Sequence, residues 1–395
     1  MRILYSHYLT DPNHPAVVMV EQISRELRKL GHEVKVYASN GLNSPVGDTS
    51  SSKIREFSTP IKTMKRALWF AKTMNMNRSR LIRDRQAIAD FQPDIVLARQ
   101  DAYCWSVAKA AAQSEIPVVT YADAPVAYEC RTFNLASRWH PPGIVEWVEK
   151  RGLHASRAVI SVSNPGANRL RRYNLTVPIH VVSNGFDASC FPESSQSDRE
   201  KLRSELGVKS PLVIGFQGSF KAFHGLDRLG GLIRSTKDVD VTWLLIGDGP
   251  EHQAFKKSVS SAGNTVFLGR RPASEMPQLL SVIDIAVAPH TQLKGDFYFC
   301  PLKIIEYAAA GCATIASDQG DIPLLLADGK GGCIVKDDSL ESWKSMLDRL
   351  IHDEEYRTTV AKIGREYVFQ NLTWKHTAEN VSRVLEDSGR SFRRS

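Results

Sequence analysis

Apolar runs able to be buried on both faces alternate, twice over, with longer segments of helical period, and few folds accept that rhythm. The first cycle opens with "MRILYSHY". Val20, Ile23, Leu27 and Leu30 then recur at helical spacing, Gly31 stops that helix, and "EVKVYAS" follows as a second strand. Further strands are expected at "DIVLAR" (94–99), "PVVTYAD" (117–123), "RAVISVS" (157–163) and "IHVVSNG" (179–185), with a helix near 103–114. A second cycle runs through "PLVIGFQGSF" (211–220), "VTWLLIGDGP" (241–250), "TVFLGR" (265–270), "DIAVAPH" (284–290), "CATIASD" (312–318) and "GGCIVKD" (331–337). Strands without a polar face need helices on both sides of a parallel sheet, so each cycle reads as a Rossmann-like, doubly wound α/β domain. The polar stretch "DASCFPESSQSDREKL" (187–202) interrupts the rhythm and serves as the expected linker. The expected division is 1–188, 189–370, and a closing helix and tail at 371–395. A chain of 395 residues with 42% hydrophobic content can bury two cores of that size.

Other classes lose ground on composition. No run approaches the roughly 18 to 20 apolar residues of a membrane span. The start "MRILYSHYLT" lacks the basic-then-apolar pattern of a signal peptide, so a cytoplasmic location is expected. The cysteines Cys104, Cys130, Cys190, Cys300, Cys312 and Cys333 stand far apart, which reads as reduced, mostly buried thiols without a metal site. "DVD" (238–240) reads as the entrance to a strand, not as metal ligands, and "GDGP" (247–250) as a tight turn. The net charge is +8, with the basic excess in the first 188 residues. Much of it lies at 61–86, where Lys62, Lys65, Arg66, Lys72, Arg78, Arg80, Arg83 and Arg85 interleave with Leu68, Trp69, Phe70 and Met74. Two readings stand: a solvated helix face, or a surface that meets an anionic membrane or substrate. No nucleic-acid motif accompanies the charge. The polar loop 38–53 is expected to be mobile.

"GDFYFCPLKIIEYAAAGCATIASD" (295–318) reads as a loop, a helix opened by Pro301 and closed by Gly311, and a buried strand. Its helix carries Lys303 in the first turn and Glu306 on the same face. In isolation that spacing gives a surface ion pair worth under ~1 kcal/mol. The neighbouring motifs supply a second meaning. "LRKLGHEVKVYA", "VVSNGFDASCF", "IGFQGSFKAFHGLDRL", "LLIGDGPE", "VFLGRRPASEMPQLLSVIDIAVAP", "CPLKIIEYAAAGCATIAS" and "LTWKHTAENV" follow one another over nearly the whole chain. Taken in order, they resemble a family 4 glycosyltransferase of the GT-B fold. The resemblance implies two Rossmann-like domains facing a central cleft, with a final helix from about Trp374 crossing back to the first domain. It implies a nucleoside diphosphate sugar, UDP- or GDP-linked, held mainly by the second domain without a metal. It further implies an acceptor held by the first domain and retention of anomeric configuration; the acceptor is expected to be a glycan, lipid-linked or small molecule, and the basic first domain alone motivates a membrane-borne acceptor and peripheral contact with the inner membrane face.

On this resemblance the helix opened by Pro301 holds the diphosphate through the amides near Leu302 and Lys303, with Lys303 adding a point charge, because a helix start offers unpaired N–H groups and a positive dipole end. Glu306 takes the ribose hydroxyls. Departures from the family pattern are equally specific. The place of a sugar-contacting glutamate is Tyr298, with Asp296 or the amides of Phe299 and Cys300 as substitutes. In "GSFKAFHG" the arginine and lysine of the usual diphosphate pair are Ser219 and His224. Lys221 offers charge there, Gly218 permits close backbone approach, and a protonated His224 would neutralise the leaving group. Arg270, after "TVFLG", completes the donor candidates. In the first domain His14-Pro15 stand where the family has two glycines, so His14 is either a sugar contact or a turn residue. Arg99, Asp101, Asp123 and Glu129 follow strands on the acceptor side, with Asp123 as hydrogen-bond partner or base. Two other classes fit the architecture: a nucleotide-sugar epimerase, and a nucleotide-sugar-binding protein without catalysis.

Overall fold

A computed structural model describes residues 1–9, 14–38, 59–101, 104–132, 142–193, 195–291 and 295–394. The loop 38–53 falls almost wholly outside the described residues, as do the side chains of Lys62, Lys65, Arg66, Trp69 and Phe70. Each of the twelve expected apolar runs contains a strand: β1 Arg2–His7, β2 Glu33–Ala38, β3 Ile95–Arg99, β4 Val118–Ala122, β5 Ala158–Ser161, β6 Ile179–Val181, β7 Leu212–Gln217, β8 Val241–Ile246, β9 Thr265–Gly269, β10 Ile285–Ala288, β11 Ala313–Ser317 and β12 Cys333–Val335. They form two six-stranded sheets, ordered β2-β1-β3-β4-β5-β6 and β12-β11-β10-β7-β8-β9. All the pairings are parallel.

The chain divides into two compact units, one of Met1–Ser183 with the segment from Lys375 onward, the other of Asn184–Trp374. The boundary lies ahead of the expected 188 because Phe186 pairs with Thr373, through Phe186 N–H to Leu372 O (3.1 Å) and Trp374 N–H to Phe186 O (3.0 Å). The expected linker is folded onto unit 2. Its helix Gln196–Glu205 is anchored by Arg199 and Arg203, which pair with Asp284 at 2.9 and 2.7 Å. The final helix Trp374–Arg394 joins unit 1, where Val381 and Leu385 are buried and the His32 ring bonds Ser382 Oγ at 2.7 Å.

In unit 1, Leu4, Val96 and Val118 face a helix at Thr59–Phe91 and one at Ser106–Gln113. The long helix bears the basic segment. Lys72, Arg78, Arg83 and Arg85 are exposed, but Arg80 is buried, with its guanidinium against the Tyr8 ring and the Cys104 thiol, so one supposed surface cation belongs to the core. In unit 2, Ile214, Phe216, Trp243, Val287 and Ile315 meet helices carrying Leu229, Trp343 and Leu347. Among the described residues no helix is long and apolar enough to cross a membrane.

Candidate active site

In each sheet the strand order reverses at one point, β1 beside β3 in unit 1 and β7 beside β10 in unit 2. A crevice beyond the carboxyl ends of the strands at such a point is where open α/β sheets hold ligands. In unit 2 the residues at that point are Gln217 at the end of β7 and Gly218 after it, and Pro289 and His290 after β10.

The helix Leu302–Ala309 lies beside this crevice. Its apolar face, Ile304, Ile305, Tyr307, Ala308 and Ala309, is buried, and Gly311 (φ +80°) ends it in the left-handed conformation. Pro301 caps the start in an extended conformation without a side-chain hydrogen bond. Tyr307 ties the helix to β7, its hydroxyl accepting from Gln217 N–H at 2.7 Å. Lys303 and Glu306 share the partly buried face, yet they form no ion pair: the Lys303 Nζ is buried without a hydrogen-bond partner, 5.1 Å from the centroid of the Phe216 ring. Burial pulls its ammonium down to about 7, against the charge of Glu306. Glu306 instead accepts from Gln217 Nε2 at 3.1 Å. Burial raises its carboxyl, with the Gln217 bond and Lys303 opposing.

Across the crevice, the 218–225 turn brings in His224. Its ring is buried, 5.9 Å from Phe216 and 4.4 Å from Phe223 between centroids, and Nδ1 has no partner. Burial, then the charges of Lys303 and Lys221, hold the imidazole down to about 3. The expected protonated His224 is thus corrected to a neutral ring, because a second cation beside Lys303 in a dry pocket is unfavourable. A Cβ on Gly218 would lie 2.8 Å from the Phe216 ring and 3.1 Å from the His224 ring, so the backbone comes this close only as glycine.

The remaining donor candidates divide. Ser219 and Lys221 are exposed on the turn; Tyr298 and Cys300 are buried in the segment leading to Pro301, with burial pushing the Cys300 thiol up to about 12. Phe299 stacks on Phe223 at 6.0 Å between centroids. Arg270 is exposed at the end of β9, an outer strand separated from β7 by β8, and is not brought to the crevice by the topology. Two crevice residues were absent from the sequence expectations, Gln217 and His290; a strand end beside the order reversal was the available signal.

Unit 1 is organised differently. Arg99, the last residue of β3, donates from Nε (3.1 Å) and Nη2 (2.6 Å) to the same oxygen of Asp123, which follows β4. That pairing commits Asp123 to anchoring Arg99 and argues against proton abstraction by it. His7, at the end of β1, is buried; burial and then the Arg99 charge lower its imidazole. A carboxylate the sequence reading overlooked, Glu149 on the helix Pro142–His154, accepts from Gln100 Nε2 (2.5 Å), Val126 N–H (2.7 Å), Ala127 N–H (3.2 Å) and Tyr173 Oη (2.6 Å). It therefore holds both strand-end loops. Asp101 bonds the Cys104 thiol, and Glu129 sits in the first turn of Val126–Thr132. His14 is the exposed N-cap of Pro15–Lys29, its Nδ1 accepting from Ala16 N–H at 3.2 Å, which is the turn role. The aspartates of "DVD" directly precede β8. Among the described residues no group of three His, Cys, Asp or Glu has metal-holding geometry.

Residues 16–189 match the family model described as Glycosyltransferase Family 4, and residues 211–353 that of Glycosyl transferases group 1. The chain belongs to the family 4 glycosyltransferases. Among curated relatives, the chain is 28% identical to alpha-maltose-1-phosphate synthase of Mycolicibacterium smegmatis over 61% of its own length and 66% of that protein. It is 27% identical to D-inositol 3-phosphate glycosyltransferase of Corynebacterium glutamicum over 53% and 52%. The matched region thus spans about half to two thirds of those relatives. Solved structures agree on the fold over greater lengths. Anabaena HepE in complex with UDP superposes with a TM-score of 0.71 at 18% identity, covering 98% of this chain and 100% of that one. Sucrose-phosphate synthase from Thermosynechococcus elongatus gives 0.72 at 16%, covering 98% of each. The chain accordingly has the GT-B fold, and its helix carrying Lys303 and Glu306 lies within the group 1 match.

Proposed function

We propose that the protein transfers a sugar, with retention of anomeric configuration, from a nucleoside diphosphate sugar held in unit 2 to a glycan, lipid-linked or small-molecule acceptor held by unit 1. The observation that carries this reading is the buried Lys303 Nζ without a partner, beside a helix start and a glycine turn. A buried amine without an acceptor is unfavourable, and a diphosphate supplies the missing oxygens and countercharge. Lys303, the amides near Leu302 and the Gly218 turn stabilise the departing nucleoside diphosphate, with no metal required. Glu306, fixed by Gln217, accepts from the ribose hydroxyls. The leaving phosphate takes the acceptor's proton, since Asp123 is committed to Arg99.

HepE has been solved with UDP and with UDP-glucose, which favours UDP as the nucleotide over GDP. The names of the curated relatives, a maltose-1-phosphate synthase and an inositol 3-phosphate glycosyltransferase, put phosphorylated sugars and polyols first among acceptors to test. Exposed Lys72, Arg78, Arg83 and Arg85 support cytoplasmic placement with peripheral contact at an anionic membrane, and absence of sedimentation with anionic vesicles at low salt would remove that part. The donor site is tested by a thermal-shift screen of UDP-, GDP-, ADP- and TDP-sugars on the wild type and on Glu306→Ala. A selective shift with one donor, lost in the variant, is expected; no shift with any donor would overturn the reading.

A further inference from the structure

Beyond the residues that resemblance supplies, the donor crevice holds a second buried imidazole. We propose that His290 is a further donor-binding residue, completing with His224 and Lys303 a set of buried nitrogens that receives the diphosphate of the nucleotide sugar. The inference rests on the donor reading above and adds a residue to it.

His290 follows β10 at the point where the strand order reverses, and its residue is 3% exposed. Its ring lies 5.8 Å from His224 and 5.3 Å from Phe297 between centroids. The turn carrying His224 reaches it because Gly225 has no side chain: a Cβ there would fall 1.7 Å from the Pro289 carbonyl oxygen. The backbone of His290 is held firmly, its carbonyl accepting from Ser317 Oγ (2.8 Å), Gln319 Nε2 (2.8 Å) and Arg228 Nη1 (3.3 Å). The ring is therefore placed by the fold, yet its Nδ1 has no hydrogen-bond partner. The same is true of His224 Nδ1 and Lys303 Nζ.

Three unmet nitrogens around one crevice call for partners, because buried polar atoms are normally hydrogen-bonded. An anion with several oxygens meets all three. Burial and the charges of Lys303 and His224 hold the His290 imidazole well below its usual range, against a hydrogen bond to the Ala288 carbonyl; a neutral ring carries one N–H, so it donates to phosphate from Nδ1 only as the Nδ1–H tautomer, giving up the Ala288 bond. The charged groups facing the set are Lys303 and Lys221 on the positive side and Glu306 on the negative. Two neutral N–H donors flanking one ammonium can hold a diphosphate without stacking three cations in a dry pocket.

The test is titration calorimetry of UDP on the full chain, with uridine followed by thermal shift at high concentration. His290→Leu is expected to weaken UDP about ten- to hundredfold, the range of one hydrogen bond to a charged group, while uridine changes less than twofold. His290→Gln keeps an N–H donor and is expected to recover part of the loss, and it stands in if the leucine variant folds poorly. Equal losses for UDP and uridine, or wild-type UDP binding by both variants while Lys303→Met loses it, would overturn the role of His290 alone. Failure of the wild type to bind UDP, GDP, ADP or TDP, or unchanged binding by Lys303→Met, would overturn the donor reading and this inference with it.

Discussion

The crevices of the two units occupy the same topological place and keep opposite hydrogen-bond accounts. In the unit 1 crevice three charged groups have partners: Arg99 holds Asp123, and Glu149 takes four donors. In unit 2 Lys303, His224 and His290 each keep a buried nitrogen without a partner. A satisfied network fixes loops and gains little from a new anion. An unsatisfied one is unfavourable without an acceptor, and this difference is what the proposed donor site in unit 2 rests on.

The comparison breaks most readily at Glu149. Glu149→Leu would leave two side-chain and two backbone donors without an acceptor. It is expected to destabilise unit 1 by about 3–5 kcal/mol, as for other broken buried charge networks; a loss below about 1 kcal/mol in urea unfolding would remove Glu149 as an organiser. The opposite sign is expected at Lys303. Lys303→Met should weaken UDP at least about a hundredfold, equivalent to about 2.7 kcal/mol. It should also raise the thermal midpoint of the empty protein, because an unpartnered buried ammonium is replaced by an apolar chain. A lowered midpoint would contradict the contrast drawn between the units.

A smaller effect, graded with pH, sharpens the same point. With the Lys303 amine near about 7 in the empty site, its charged form declines above that pH and must be restored when the diphosphate binds. UDP affinity should then fall by up to tenfold, about 1.4 kcal/mol, per pH unit above 7. The stability of the empty protein should move the other way. Above pH 7 the unfolded chain, with its lysine at the ordinary value, holds more protons than the folded one, so stability rises with pH until that ordinary value is reached. UDP affinity that stays flat from pH 7 to 9 would show that Lys303 is not the group that meets the phosphates.

Much of this protein was legible in sequence because it is written locally. Strands buried on both faces must be apolar throughout, which is why all twelve runs showed themselves. The helix of Lys303 and Glu306 was visible through Pro301, Gly311 and the three-residue spacing. What stayed hidden depends on partners far along the chain. His290 read as the end of a strand, and Glu149 as one charge on a helix, since nothing nearby records that Gln100 and Tyr173 converge on it. Arg80 looked like its solvated neighbours and is buried. The ionisation of His224 was misjudged for the same reason.

By itself, then, the sequence determined the two α/β units, the resemblance to a glycosyltransferase family, and the candidate pair Lys303 and Glu306, because hydrophobic period, turn residues and motif order act over short stretches of chain. Only the tertiary structure decided which polar groups are satisfied and which are buried without a partner. Burial and hydrogen-bond partnership belong to groups brought together from distant positions, and those two properties set the charge of Lys303, the neutrality of His224, and the anchoring of Asp123.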